Sequence, residues 1–165
     1  MSTDNPFAPP NATVADVSTH AADPAPRLWN PNAAASWSLL FSPLFGAFIH
    51  MKNWQVLGEP EKAANAKNWA LASLLFFVVV VVLAVVMPES KAVDAIRRFA
   101  GFGLLIAWYY ASGKAQNAFV LARFGPNYPR KGWLKPLLLA LAAVVGFFIL
   151  GAILGAISAV FQRVG

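Results

Sequence analysis

The chain has 165 residues, of which 58% are hydrophobic and 12% charged, with no cysteine and a formal net charge of +6. A soluble domain averages about 45–50% apolar and about 25% charged residues, and here the apolar excess is gathered into blocks. These figures exclude an ordinary soluble enzyme, a disordered chain and a disulfide-stapled domain, and they indicate an all-α integral membrane protein.

Residues 1–32 read as a disordered, proline-rich tail, with Pro6, Pro9, Pro10, Pro24, Pro26 and Pro31. Proline removes an amide donor and pushes its predecessor toward extended backbone, so no long helix runs through this stretch. The start lacks the basic and apolar regions of a signal peptide. Residues 33–165 form the expected helical membrane domain, with about four spans near 33–51, 69–87, 98–114 and 136–161.

The first block, 33–51, carries no formal charge and just reaches across a hydrocarbon core of about 30 Å. Pro43 at its centre leaves two readings, a kinked span or a re-entrant hairpin. The kinked span is the favoured one. A polar linker, 52–68, follows, and within it Gly58-Glu-Pro-Glu-Lys62 opens a short helix with Pro60 in its first turn. The second block, Trp69 to Met87, is uninterrupted and includes five valines at 78–82. It reads as a lipid-facing membrane helix. The third block lies between Arg98 and Lys114 and is short, about 22 Å at helical rise. It can continue through 114–124 to Gly125 as a C-terminal cap; a span is favoured over an amphipathic helix lying on the surface, because Gly101, Gly103, Ala107 and Ala111 offer small packing surfaces. The last block, 136–161, exceeds the span and predicts a tilted helix.

Bases set the orientation. Short basic stretches between apolar blocks are a topology signal, so the high pI does not imply nucleic acid. Loops 52–68 and 114–135 share the larger share of bases and are expected in the cytoplasm. With the first block as a span, the N-terminus lies outside; as a hairpin, inside. Gly58-Glu-Pro60 with Trp69, and Gly125-Pro126 with Trp133, make a weak internal likeness that chance explains equally well.

Chemistry is scarce. The sequence has no HExxH, P-loop, serine–histidine arrangement or paired helical carboxylates, so neither an enzyme nor a cofactor is expected. His50 reads as an interfacial histidine beside Lys52 rather than an acid–base partner of Glu59 or Glu61. No Asp, Glu, Lys or Arg sits deep in an apolar block, which argues against ion-coupled transport. Two features stand out. Arg130, Lys131, Trp133 and Lys135 form a basic, aromatic run suited to anionic lipid headgroups. Gly151, Gly155 and Ala159 share one helical face and suit close helix packing, with a partner expected inside the same chain.

Trp29-Asn-Pro-Asn, Ser42-Pro-Leu-Phe-Gly-Ala47, Asn53-Trp54 and Leu57-Gly58-Glu-Pro60 resemble a group of small uncharacterised bacterial inner-membrane proteins. Trp108-Tyr-Tyr, Gly113-Lys-Ala-Gln116, Tyr128-Pro-Arg-Lys-Gly-Trp133 and the Asn5-Pro-Phe-Ala-Pro-Pro10 opening extend that resemblance over most of the chain. It implies a multi-pass protein of the bacterial inner membrane and supplies no activity or ligand. The expected role is therefore non-enzymatic, through contacts with lipids or other membrane proteins. The alternatives are an immunity protein against a pore-forming toxin, marked by an adjacent toxin gene, and a small transporter or channel component. The last would need a polar path past Ser36, Ser38, Ser42, Asn53 or Tyr110.

Overall fold

A computed structural model of the chain describes residues 24–87 and 90–164. Its elements, in chain order, are α1 (Pro31–Val56), α2 (Pro60–Val86), α3 (Lys91–Trp108), a π-helical turn (Tyr109–Gly113), α4 (Lys114–Phe124) and α5 (Leu134–Val164). Three stretches, 31–56, 60–83 and 134–157, are long and apolar enough to cross a membrane by length and composition. Strands are absent among the described residues, apart from one isolated bridge between Leu28 and Arg130.

The first block is a hairpin, which corrects the kinked span expected above. Ser42, just before Pro43, takes φ 80 and ψ 164 and breaks α1 into arms 31–41 and 43–56. His50 Nε2 then lies 3.1 Å from the Pro31 carbonyl, nineteen residues away. A straight helix would separate them by about 28 Å. Proline contributes no amide to bridge the break and favours extended ψ before it. Phe41 and Phe45 stack across the turn with centroids 5.5 Å apart. Gly46 lets the arms close: a methyl there would overlap Ser38 Oγ and the Trp108 ring. The arms are about 16 and 21 Å long, each too short for a whole bilayer.

Both ends of the hairpin are finished at one end of the molecule. Asn30 caps the first arm by accepting from Asn32 N and Ala33 N at 3.0 and 3.3 Å. Gly58, at φ 72, ends the second arm in the left-handed conformation that glycine adopts without steric cost. The expected polar linker is absent. α2 is continuous from Pro60, because alanines 63 and 66 pack one turn apart onto Trp54.

The third block continues to Gly125, as the sequence allowed, but starts earlier than expected, at Lys91. Ser90 accepts from Val93 N to start α3, and Gly125 at φ 69 ends α4, so helix runs over residues 91–124. The π-turn at its middle inserts an extra residue into the ladder and leaves Trp108 and Ser112 buried beside α1. α5 is longer still, 134–164, and touches α1 and α2 only lightly.

Residues 1–23, most of the expected tail, lie outside the described residues. Residues 24–30 correct the rest of that expectation. They dock as a strap on 128–132: Leu28 N donates to Pro129 O at 3.1 Å and Lys131 N to Leu28 O at 2.8 Å. Leu28 is fully buried with Val120 and Tyr128. The packed core therefore gathers at the basic end, around the hairpin. The far parts of α2, α3 and α5 carry exposed Leu, Val, Ile and Phe.

Candidate functional site: a polar seam behind the hairpin

The seam joins the strap, the second arm of α1 and the third helix. Asn53 is its centre, fully buried. Its carbonyl oxygen accepts from Trp29 N at 3.1 Å, and its amide donates to Trp29 O at 2.8 Å and to Gln116 Oε1 at 3.1 Å. Gln116, also fully buried, donates onward to the His50 carbonyl at 2.8 Å. A side-chain amide offers a paired donor and acceptor, so one asparagine can replace a lost ladder partner for a whole backbone residue. The arrangement locks strap, hairpin and third helix together through four hydrogen bonds.

His50 is not interfacial, as the sequence suggested, but fully buried. Its ring faces the Pro31 carbonyl and the Trp108 indole, the latter at 5.3 Å between centroids. Glu59 and Glu61 are not its partners. His50 Nδ1 and Trp108 Nε1 are buried without a hydrogen-bond partner among the described residues. No trio of His, Cys, Asp or Glu able to hold a metal occurs among those residues.

Arg130, Lys131, Trp133 and Lys135, expected from the sequence to meet lipid headgroups, have mixed surroundings. The Arg130 guanidinium lies 5.4 Å from the Tyr128 ring and donates to Pro126 O at 3.2 Å. Burial pushes the Tyr128 phenol above its usual range, and the adjacent Arg130 charge draws it part of the way back. Lys131 lies 4.3 Å over the Trp29 ring. Trp133 packs on Phe45, and Leu137 joins it against the cluster of Ala34, Phe45 and Ile49, so it braces the hairpin. Lys135 is exposed.

Gly151, Gly155 and Ala159 lie far from the seam, on the exposed part of α5. A Cβ added at either glycine meets nothing within 4 Å, so no helix among the described residues packs against this face.

Sequence reasoning missed Gln116, Trp108 and Gly46 as site-forming residues. Gln116 gave a usable signal, as an uncharged amide facing an apolar helix neighbourhood. Trp108 and Gly46 acquire meaning only once the hairpin is closed. The chain matches no protein-family profile, no curated protein and no solved structure.

Proposed function

We propose that the chain is an integral protein of the bacterial inner membrane that catalyses nothing and acts by lateral contact with another membrane protein. The observation that carries this reading is α5. None of residues 134–157 is buried, and the chain's own helices leave the Gly151–Gly155–Ala159 face open. Lipid asks only for an apolar surface, which Ile or Leu meets. A stripe of small residues is useful where another helix comes close, since packing rather than water exclusion drives association in a bilayer.

The hairpin supports this division of labour. It fixes the basic end as a rigid base and leaves α5 as a free arm. Because the hairpin enters and leaves at the same end, Arg27 joins Lys62, Arg123, Arg130 and Lys131 there. Arg27 in fact donates to the Arg130 carbonyl at 3.4 Å. The positive-inside bias then places this end, and the strap with it, in the cytoplasm. The seam's amides bond one another, which suits a brace; a transporter would need them to part.

Single cysteines at Gly151 and at Ile153, on the opposite face, test the proposal in native membranes with a short bifunctional thiol reagent. Adducts to protein are expected from Gly151→Cys and not from Ile153→Cys. Equal yields, or none from either, contradict it. An adduct with a second copy identifies the partner as this chain, whereas the immunity-protein form of the proposal expects protection against the product of a neighbouring toxin gene.

A further inference from the structure

A cleft of about 410 Å³ opens between the first turns of α2 and the π-turn and α4. Glu61, Lys62 and Asn65 line it from α2, Trp54 from α1, and Ser112 and Phe119 from the other side, with Ser112 about two helical turns before Phe119 along the chain. We propose that this cleft holds the headgroup and ester region of a phospholipid with an ethanolamine headgroup. The inference shares with the proposed function only the placement of the chain in a bilayer and is independent of α5.

Charge selects the headgroup. The Lys62 ammonium is held 3.2 Å from Glu59 Oε2 and lies over the Phe119 and Trp54 rings at 4.3 and 5.0 Å. Its charge is thus balanced by Glu59, while Glu61 has no ion-pair partner among the described residues. Arg123 stands beside the same cleft, 5.8 Å from the Phe119 ring, so Glu59, Glu61, Lys62 and Arg123 together balance. A purely anionic headgroup would bring a charge that leaves Glu61 without a counterpart. An ethanolamine headgroup brings its own cation for Glu61, and a phosphate for Lys62, which retains donor capacity.

The start of α2 strengthens the phosphate position. Glu59 makes no side-chain cap, and Pro60 brings no amide, so the first-turn N–H groups of this long helix face outward with the positive end of its dipole. Choline is disfavoured on two grounds. Its methylated nitrogen cannot donate to Glu61, and the aromatic faces that would cage it are covered by Lys62.

Depth fits as well. Ser112 is 7% exposed, lines the cleft, and its hydroxyl makes no hydrogen bond among the described residues. Its hydroxyl stands below the charged rim, where an acyl-ester carbonyl would follow the phosphate, and can donate to it. Below the cleft α2 and α3 barely touch, which leaves room for a chain between them.

The test uses full-length protein in nanodiscs containing equal parts of ethanolamine, glycerol and choline phospholipids, with retained lipid read by native mass spectrometry. Retention of the ethanolamine lipid should exceed each of the others about tenfold, the worth of one charge-assisted hydrogen bond at its weaker end. Glu61→Gln should bring that preference to within about twofold, through loss of the same bond. Ser112→Ala should weaken all three lipids alike, and Lys135→Gln, away from the cleft, should change nothing. Elution volume and tryptophan emission certify each variant as folded. Equal retention of the three lipids, a preference for the glycerol lipid, or an ethanolamine preference that survives Glu61→Gln overturns the proposal. Failure to enter nanodiscs at all would instead overturn the membrane placement that both proposals share.

Discussion

Adding one methyl group at Gly46 should unseat the hairpin. An ideal Cβ there overlaps Ser38 Oγ and Trp108 Cη2 and comes to 2.8 Å from Trp108 Cζ2. Neither neighbour can yield cheaply. Ser38 Oγ donates to Ala34 O at 2.9 Å on the opposite arm, and Trp108 is fully enclosed. Overpacking a tight core costs about 1–3 kcal/mol, and two rigid neighbours place Gly46→Ala near the upper end, about 30- to 150-fold in the folding equilibrium. Unfolding in mixed micelles, followed by tryptophan emission, measures it. Gly146→Ala is the control: its Cβ meets nothing within 4 Å, and alanine improves a helix by up to about 1 kcal/mol. Ser38→Ala combined with Trp108→Phe removes the overlapping atoms and should recover part of the Gly46→Ala loss. A Gly46→Ala protein within about 0.5 kcal/mol of the parent, inside the range of an inert surface change, would refute the close crossing of the arms.

Other consequences are open to the same unfolding assay. Asn53→Leu strands the Trp29 amide and part of Gln116, and should cost about 2–4 kcal/mol at about 1–3 per stranded group; Gln116→Leu should cost less, and the double variant less than their sum. Ser42→Gly relieves a positive φ that serine adopts reluctantly, and should stabilise the protein by about 1 kcal/mol. Leu28→Ala removes the buried anchor of the strap, so trypsin should cut after Arg27 in this variant at concentrations that leave the parent intact.

Much of the helical layout was legible because helices long and apolar enough to cross a membrane advertise themselves by those two properties. One cap was legible, Gly125, which ends α4 as its residue type suggests; Gly58 closes α1 where the sequence suggested the opening of a helix, and the Ser90 cap was not read at all. What escaped was geometry that depends on partners far along the chain. Pro43 announced a break but not its angle; the angle follows from Gly46 meeting Ser38 and from Asn53 meeting Trp29. Residues 52–68 looked like a linker because of their charges, whereas 52–56 complete the second arm of α1 and Ala63 and Ala66 pack α2 onto Trp54. The strap was hidden by its prolines, which read as disorder although Leu28 and Trp29 between them bond to 129–132. No sequence signal marked the π-turn. The Gly151–Gly155 pattern was plain, yet a small-residue stripe says that something comes close and not which helix.

Everything proposed for orientation rests on the hairpin returning to its own side, and single-cysteine accessibility tests that most directly. The chain has no cysteine of its own. Pro24, Asn127 and Ala92 are exposed, the first two beside the strap and the basic turn and the third at the opposite end. In intact cells, an impermeant maleimide should label Ala92→Cys and spare both Pro24→Cys and Asn127→Cys until the membrane is opened. Labelling of Pro24→Cys with Asn127→Cys still protected would mean that the first helix crosses the membrane, and would contradict the account.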